Sequence, residues 1–216
     1  NDAGDWSWGT NGAGHDVSHK YGFGVIDAGA AIALALNWTN VGAELNVTSG
    51  TQNLNAAIPD ATNVAATDTI YMNDDLQLES VDVIVDIDHN TRGDLEIKLI
   101  SPSGTESVLA TTHNDNGNDY NNWMFSSVHF WDEGSAGNWT LSVEDKDSGT
   151  SGTIDDWELI LHGVELNRDT DLDGLLDDNE VDNYSTDPYD NDTDDDYLLD
   201  GLEVLYYSTD PLNNDT

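Results

Sequence analysis

Hydrophobic and polar residues alternate along four runs in the middle of the chain. In each run every second residue is hydrophobic, and these positions are Val81, Val83, Val85 and Ile87; Leu95, Ile97 and Leu99; Trp139, Leu141 and Val143; and Trp157, Leu159 and Leu161. A period of two, with turns such as Ser101-Pro102-Ser103-Gly104 between runs, predicts antiparallel β-strands with one buried face. Several such strands within about 100 residues favour a mainly β fold, a sandwich or jelly roll. Trp139 and Trp157 are expected to pack in its core or at a sheet edge.

Residues 1–45 begin with a glycine-rich stretch, which predicts irregular structure, and continue into a helix. Asp27 is a suitable N-cap for the run Ala28 to Trp38. Ile32, Leu34 and Leu36 give this helix a broadly hydrophobic surface, so we expect it to be buried against a larger partner. The predicted organisation is residues 1–45, a β domain over 46–165, and a C-terminal segment over 166–216.

The C-terminal segment contains a run, Asp169 to Glu180, that matches the calcium-loop pattern at every position. Carboxylates stand at positions 1, 3, 5, 9 and 12, glycine at the turn and a backbone carbonyl at position 7, in the order Asp169, Asp171, Asp173, Gly174, Leu175, Asp177 and Glu180. Calcium takes six to eight oxygen ligands at about 2.3–2.6 Å, and this spacing wraps them around one point. The run therefore predicts a Ca²⁺ site.

The loop recurs 23 residues later, where the corresponding residues are Asp192, Asp194, Asp196, Leu198, Asp200 and Glu203. Asp215 would open a third copy, and a Ser-Thr-Asp-Pro sequence returns at the same spacing. Hydrophobic residues keep the register too, since Leu175 aligns with Leu198, which disfavours a solvated, disordered tail. Tyr197 replaces the turn glycine, so its backbone must adopt a glycine-like conformation or distort the turn.

Further acidic residues could complete additional cation sites. In the repeats these are Asp187, Asp190 and Asp210. In the β region, one loop carries short oxygen-bearing side chains that could bind another calcium ion, namely Asp115, Asn116, Asn118, Asp119 and Asn122. An ordinary turn explains the same composition, because Asn, Asp and Gly favour turn conformations. Asp145 and Asp147 leave the same two interpretations open.

The chain of 216 residues has a formal charge of −39, with 5 Lys and Arg against 44 Asp and Glu. Such a surface repels nucleic acid and anionic membranes, and it suits divalent cations or high salt. The absence of cysteine excludes disulfides and thiol catalysis, and no hydrophobic run approaches the ~18 residues of a membrane span. Calcium loops of this kind usually work at extracellular calcium levels, so we expect secretion. Both ends look cut from a longer polypeptide.

Six Asn-X-Ser/Thr triplets are candidates for N-glycosylation, provided that the source organism glycosylates its proteins. Their asparagines are Asn37, Asn46, Asn138, Asn183, Asn191 and Asn214. A chain rich in Asn, Ser and Thr produces several such triplets by chance.

Three stretches of the β region carry motifs in a fixed order: His89 to Gly104, Asn121 to Asp132 and Gly137 to Gly163. The motifs are an Arg-Gly-Asp-Leu sequence, the Ser-Pro-Ser-Gly turn, Phe130-Trp131 and an Asn-Trp-Thr-Leu sequence. In these motifs the chain resembles the P domain, or Homo B domain, which follows the catalytic domain of kexin- and furin-like proprotein convertases. The resemblance implies an eight- or nine-stranded jelly-roll sandwich that packs on the protease and stabilises it.

Residues 14–38 include Tyr21-Gly22-Phe23-Gly24 and Asp27-Ala28, and they resemble the last stretch and final helix of a kexin-type subtilisin domain. This resemblance implies that the catalytic domain of the same polypeptide is the partner of the hydrophobic helix. The C-terminal repeats resemble thrombospondin type 3-like repeats, which occur at the ends of secreted bacterial proteins.

No serine protease triad is evident in this chain. The Gly149-Thr150-Ser151 sequence lies in a Gly/Ser/Asp-rich loop with no base or carboxylate spaced for it. His15, His19 and His89 are expected to be surface or turn histidines, and the six histidines show no metal-spaced pair. The Arg-Gly-Asp sequence could be an adhesion motif, but the resemblance implies architecture, with Asp94 holding a loop or pairing with Arg92.

The sequence therefore predicts the non-catalytic, calcium-binding C-terminal region of a secreted subtilisin-like serine endopeptidase, which stabilises the protease and links it to further modules. The alternative is an extracellular structural protein that assembles into a homo-oligomer, filament, matrix or surface layer. A third option is a carbohydrate or protein adhesion module, with Trp6, Trp8 or Trp123 as a sugar platform, which depends on fold analogy alone.

Overall fold

The computed structural model describes residues 7–36, 38, 42–61, 63–166 and 168–214. The chain divides into two compact units, Asn1–Glu165 and Leu166–Thr216, and each is described by itself. Across the residues just given, no helix is both long and hydrophobic enough to cross a membrane.

The first unit is built from antiparallel strands. Numbered in chain order, they are β1 Trp8–Thr10, β2 Asp16–Ser18, β3 Leu45–Thr48, β4 Gln52–Ile58, β5 Ala66–Met72, β6 Leu76–Asp88, β7 Leu95–Ile100, β8 Glu106–Ala110, β9 Tyr120–Ser127, β10 Gly137–Asp145 and β11 Gly152–Glu165. Strands β5, β10, β7 and β8 form one sheet in that order, and β3, β11, β6 and β9 form a second, in which β4 also pairs with β11. This architecture confirms the predicted mainly β fold, an antiparallel jelly-roll β-sandwich.

The hydrophobic faces predicted from the alternation form the core of the sandwich. Every alternating hydrophobic position named above on β6, β7, β10 and β11 is fully buried. Trp139 and Trp157 are buried as predicted, and each indole N–H has a partner: the backbone carbonyl of Ser135 at 2.9 Å and the carboxylate of Asp68 at 2.8 Å. Burial of a large hydrophobic side chain contributes about 1.5–3 kcal/mol, so these faces dominate the stability of the fold.

An N-terminal segment, residues 7–24, packs on the sandwich. The expected irregular structure is wrong here, because β1 and β2 pair as a small antiparallel sheet whose strands are too short to show an alternating pattern. Glu133 anchors the segment: it is 2% exposed, accepts the N–H of Gly12 at 2.8 Å, and accepts hydroxyl hydrogen bonds from Ser101, Ser103 and Thr105. The side-chain amide of Asn11 donates to the carbonyl of Trp131 at 2.8 Å.

The predicted helix is present as α1, Ala28–Ala35, and begins at the predicted cap. The Asp27 carboxylate accepts two N–H groups of the first turn, at 2.9 and 3.0 Å. No residue of α1 is buried, and Ile32 and Leu34 are 68% and 61% exposed. The helix therefore forms for local reasons, a good cap and alanine-rich composition, while its hydrophobic surface faces solvent.

The second unit repeats one helical motif. Its elements are α2 Asp177–Asn179, continued by a π-helical turn over Glu180–Tyr184, and α3 Asp200–Leu202, continued by a π-helical turn over Glu203–Tyr207. Each motif ends at a serine in the left-handed conformation, Ser185 with φ 62° and Ser208 with φ 58°. The structural repeat therefore follows the sequence repeat.

Candidate metal centre

The first acidic loop gathers three aspartates around one point. One carboxylate oxygen each of Asp169, Asp171 and Asp173 lies within 4.8 Å of the others. Asp173 is 7% exposed, and Glu180, at the twelfth position, is fully buried. Gly174 turns the chain with φ 102° and donates its N–H to Asp169 at 3.2 Å. The turn therefore directs the carboxylates toward a common centre.

The second loop reproduces this arrangement. Asp192, Asp194 and Asp196 cluster within the same 4.8 Å limit, and Glu203 is fully buried. Tyr197 occupies the glycine position with φ 75°, which confirms the predicted glycine-like backbone. Its N–H donates to Asp192 at 2.9 Å, and its side chain is 98% exposed. The left-handed conformation costs a non-glycine residue about 1–2 kcal/mol, yet the loop keeps the geometry of the first.

Several buried carboxylate oxygens in these loops have no hydrogen-bond partner among the described residues. They are Oδ1 of Asp169, Oδ2 of Asp171 and Oε2 of Glu180 in the first loop, and Oδ2 of Asp194 in the second. Burial raises the pKa of Glu180 to about 7, and the charges of Asp171 and Asp173 add to the rise. Unpaired buried carboxylates are costly, so this set of oxygen donors fits a hard divalent cation.

Asp177 and Asp200, the predicted ligands at the ninth position, lie outside both carboxylate clusters, as do Glu180 and Glu203 at the twelfth. Both oxygens of Asp177 accept hydrogen bonds from Thr170, from the N–H at 2.8 Å and from the hydroxyl at 2.7 Å. Asp200 makes the same contacts with Thr193, at 3.0 and 2.6 Å. The sequence analysis did not predict these threonine–aspartate hydrogen bonds, although an Asp-Thr-Asp sequence occurs at the start of both loops.

The predicted carbonyl donors, Leu175 and Leu198, lie on the inner turn of each loop. Their N–H groups donate to Asp173 at 2.7 Å and to Asp196 at 2.9 Å. The two loops also touch each other, because the N–H of Gly201 donates to Asp173 at 2.6 Å. A Cβ on residue 201 would lie 2.3 Å from the carbonyl oxygen of Asp173, so this contact requires glycine.

The additional aspartates of the repeats, Asp187, Asp190 and Asp210, are exposed. Asp187 and Asp210 accept the N–H groups of Tyr189 and Leu212, each at 3.2 Å. The N–H of Asp190 donates to the carbonyl of Asp187 at 2.9 Å. These residues shape the turn that follows each helical motif, and they lie outside the two carboxylate clusters.

Comparison with known proteins concerns the sandwich. Residues 78–161 match the proprotein convertase P-domain family. Furin from Homo sapiens is 37% identical over 163 residues, an alignment that covers 73% of this chain and 20% of furin. The sandwich is a proprotein convertase P domain. Proprotein convertase subtilisin/kexin type 6 from Rattus norvegicus is 40% identical over 170 residues, which covers 73% of this chain and 18% of that protein. The chain thus spans about a fifth of the length of the curated relatives it matches.

Solved structures give the same result for the P domain. The Aeromonas sobria serine protease in complex with the chaperone ORF2 has a TM-score of 0.64 and 27% identity, over 73% of this chain and 33% of that chain. The same protease in a second crystal structure has a TM-score of 0.62 and 26% identity, over 72% of this chain and 33% of that chain. The resemblance to the P domain is thereby confirmed, and the thrombospondin-like nature of the repeats stays a prediction.

In the P domain, the loop between β8 and β9 uses its predicted calcium ligands for other contacts. Asp115 forms an ion pair with Arg92, whose Nε lies 2.8 Å from Oδ2, and this hydrogen bond lowers the pKa of Asp115. Asp119 accepts the N–H of His89 at 2.9 Å. Asp119 and Asn122 adopt left-handed φ values of 48° and 43°. These contacts favour the interpretation as an ordinary turn.

The Arg-Gly-Asp sequence forms a 3-10 turn, Arg92–Asp94. Gly93 is buried, and a Cβ there would lie 2.4 Å from the carbonyl oxygen of His113. The guanidinium of Arg92 pairs with Asp115 and not with Asp94, so of the two expectations for Asp94 the one that it holds a loop remains. Burial raises the pKa of Asp94. The turn is therefore part of the P-domain architecture.

His89 is 2% exposed, so of the two expectations a surface position is wrong, while its place in the loop after β6, in contact with the backbone of Thr91, agrees with a turn histidine. Its Nε2 lies 3.3 Å from Asp145 and 3.4 Å from the hydroxyl of Thr150, so the fold supplies the base and carboxylate that the Gly-Thr-Ser sequence lacked locally. A triad requires the carboxylate and the nucleophile on opposite ring nitrogens. Here Nε2 faces both, and Nδ1 lies 2.8 Å from the carbonyl of Thr91. Asp145 also accepts the N–H of Asp147 at 3.2 Å. His89, Asp145 and Thr150 therefore hold neighbouring loops together and do not have the geometry of a triad.

The glycosylation candidates are accessible wherever the structure describes them. Asn37 lies outside the described residues. The others are all exposed: Asn46, Asn138, Asn183, Asn191 and Asn214. Exposure permits modification, and N-glycosylation stays a prediction.

Proposed function

We propose that this chain is the non-catalytic, calcium-binding C-terminal region of a secreted subtilisin-like serine endopeptidase. The P domain would stabilise the catalytic domain of the same polypeptide, and the repeats would link it to further modules. The observation that carries the calcium part is the set of buried carboxylate oxygens without protein partners on Asp169, Asp171 and Glu180. The protease part is supported by the P-domain match.

Each loop offers a set of carboxylates that would hold one ion. The first set is Asp169, Asp171, Asp173 and Glu180, and the second is Asp192, Asp194, Asp196 and Glu203. Calcium would supply the positive charge that a chain of formal charge −39 lacks at these points. Because the ligands are dispersed in the unfolded chain, the free energy of binding would add to the stability of the second unit.

The exposed hydrophobic residues beside α1 support attachment to a catalytic domain. Val25, Ile26 and Leu36 are 99%, 87% and 81% exposed. Surfaces of this kind mark interaction sites in soluble proteins. The resemblance assigns these residues to the end of a subtilisin domain, so the rest of that domain is the proposed partner. Peptide-bond hydrolysis would take place there.

Thermal unfolding with and without chelator tests the calcium part. Chelation should lower the melting temperature and increase proteolysis first within residues 166–216, while Trp139 and Trp157 keep their buried fluorescence. Magnesium is the control, because its smaller octahedral coordination fits a loop of this kind less well. An unchanged melting temperature in chelator would argue against structural calcium.

The protease part needs a separate measurement on the intact gene product. Its peptidase activity should lose thermal half-life when the P domain, residues 46–165, is deleted. Retention of the full half-life would contradict a stabilising role, whatever the outcome of the calcium experiment.

A further inference from the structure

The N-terminal segment covers an exposed edge of the P domain through one histidine. Strand β8 is the outer strand of its sheet, with β7 on its other side. The Nε2 atom of His19 accepts the N–H of Val108 on β8 at 2.9 Å. An outward-facing N–H of an edge strand is thereby occupied, and His19 must be unprotonated at Nε2 to accept it.

A second histidine lies directly against the first. The rings of His19 and His129 have centroids 3.9 Å apart, at an angle of 61°. His129 is 9% exposed. Two protonated rings at this distance repel each other, and solvent screens part of the repulsion because His19 is exposed. Protonation of both rings therefore disfavours the closed segment.

We propose that His19 and His129 form an acid-sensitive latch, which holds residues 19–24 on β8 at neutral pH and opens when the pair is protonated. Burial lowers the pKa of both histidines, and for His19 the neighbouring His129 lowers it further. The open state thus binds protons more readily than the closed state. The latch is intact above the usual histidine pKa of 6.5 and weakens as the pH falls through that value.

Other charged groups around the pair modify this response. Glu106 raises the pKa of His19 and Lys98 lowers it, and Lys98 lies 3.6 Å from Glu106. Backbone hydrogen bonds to Glu106 and Ser18 oppose the effect of burial on His129. Glu106 and the backbone hydrogen bonds reduce the downward pKa shifts and Lys98 adds to that of His19, and both pKa values remain lowered.

The other contacts of the segment predict which part opens. His15 lies 2.8 Å from Asp132. Asn11 and Gly12 are held by Trp131 and Glu133 through hydrogen bonds that involve no histidine ring. Strand β2 also stays paired with β1 through Asp16–Ser18. Residues 8–18 should therefore stay bound at acidic pH, while residues 19–24 are released.

Release would change how α1 is connected to the sandwich. Residues 19–24 lead to Val25 and α1, and in extended form they would span at most about 20 Å. The consequence for a catalytic domain docked at α1 depends on the proposed function. The latch itself can be tested in this chain alone, so its failure would not affect the proposal of a protease.

Hydrogen exchange of the whole chain in millimolar calcium, at pH 7.5 and 5.5 and corrected for intrinsic exchange rates, tests the latch. Protection of residues 19–24 and of the Val108 amide should fall by up to about tenfold per proton and pH unit below 6.5. Residues 8–18 should keep their protection, because β1 and β2 remain paired. Equal protection of residues 19–24 at both pH values would overturn the proposal.

Three substitutions separate the contributions. His19→Gln keeps a side-chain acceptor for the N–H of Val108 but cannot be protonated. In this variant the hydrogen-exchange protection of the latch residues and of the Val108 amide should therefore not depend on pH. His129→Gln should weaken the pH response, and His15→Gln, which lies outside the pair, should leave it unchanged. A pH response in His19→Gln equal to that of the wild type would refute the latch. If residues 19–24 of His19→Gln are unprotected even at pH 7.5, the pKa of His19 should be measured in the wild type by NMR titration. A measured pKa above 6.5 would also refute the latch.

Discussion

Without calcium, the second unit should become more stable when one predicted ligand is removed from the first acidic loop, whose carboxylates (Asp169, Asp171, Asp173 and Glu180) are called the cage below. The substitution that tests this is Glu180→Gln. The Glu180 carboxylate is fully buried, has one oxygen without a hydrogen-bond partner, and lies among aspartates. In the metal-free protein its pKa rises from 4.5 to about 7, which corresponds to about 3 kcal/mol of folding free energy at pH 8.

The sign of this term follows from proton linkage. A carboxyl with a raised pKa in the folded state is protonated in both states below pH 4.5, where it contributes no penalty. As the pH rises from 4.5 through 7, the folded state must ionise a buried group, and the second unit loses stability. Glu180→Gln removes the penalty, so in chelator the variant should be more stable than the wild type by up to about 3 kcal/mol at pH 8.

Calcium should reverse the order of stability. A neutral amide is a weaker ligand than a carboxylate, so the variant should bind calcium with lower affinity and be the less stable protein in millimolar calcium. Hydrogen-exchange protection of residues 169–184, with chelator and with calcium, measures both effects. Asp178→Asn is the matched control, because it removes one charge at an exposed position outside the cage.

Two results would refute the reasoning. If Glu180→Gln destabilised the metal-free protein at pH 8, burial of an ionised carboxylate would not govern the cage. If Asp178→Asn stabilised it equally, the gain would come from total charge and not from the site.

Three further predictions concern other parts of the chain. Asp171→Ala should weaken calcium binding in titration calorimetry more than Asp178→Ala, and equal effects would show that the loop register is wrong. Trp139→Ala should cost about 3–5 kcal/mol in urea unfolding, since it empties a fully buried site; a cost near 1 kcal/mol would mean that the core refills the space. Glu133→Ala should cost about 2 kcal/mol and speed tryptic cleavage at Lys20, because four hydrogen-bond donors lose their acceptor; unchanged cleavage would exclude it as the anchor.

Local patterns in the sequence determined the elements and much of the candidate site. The alternation identified the buried faces of β6, β7, β10 and β11, because side chains of a strand point to opposite faces in turn. The spacing of the repeats identified the clustered aspartates and the glycine-like backbone of Tyr197, since the loop residues are close in sequence. The cap at Asp27 was likewise visible, because its partners lie within one turn.

Only the tertiary structure decided the contacts between residues that are distant in sequence. Asn11 contacts the backbone of residues separated from it by 118 and 120 positions, His89 meets Asp145, and Gly201 reaches across to Asp173 in the other loop. Periodicity reports which face of an element is buried, but the topology sets which faces meet. The exposure of α1 follows from the same principle: its sequence specifies a helix with a hydrophobic surface, and only tertiary packing determines whether that surface is covered.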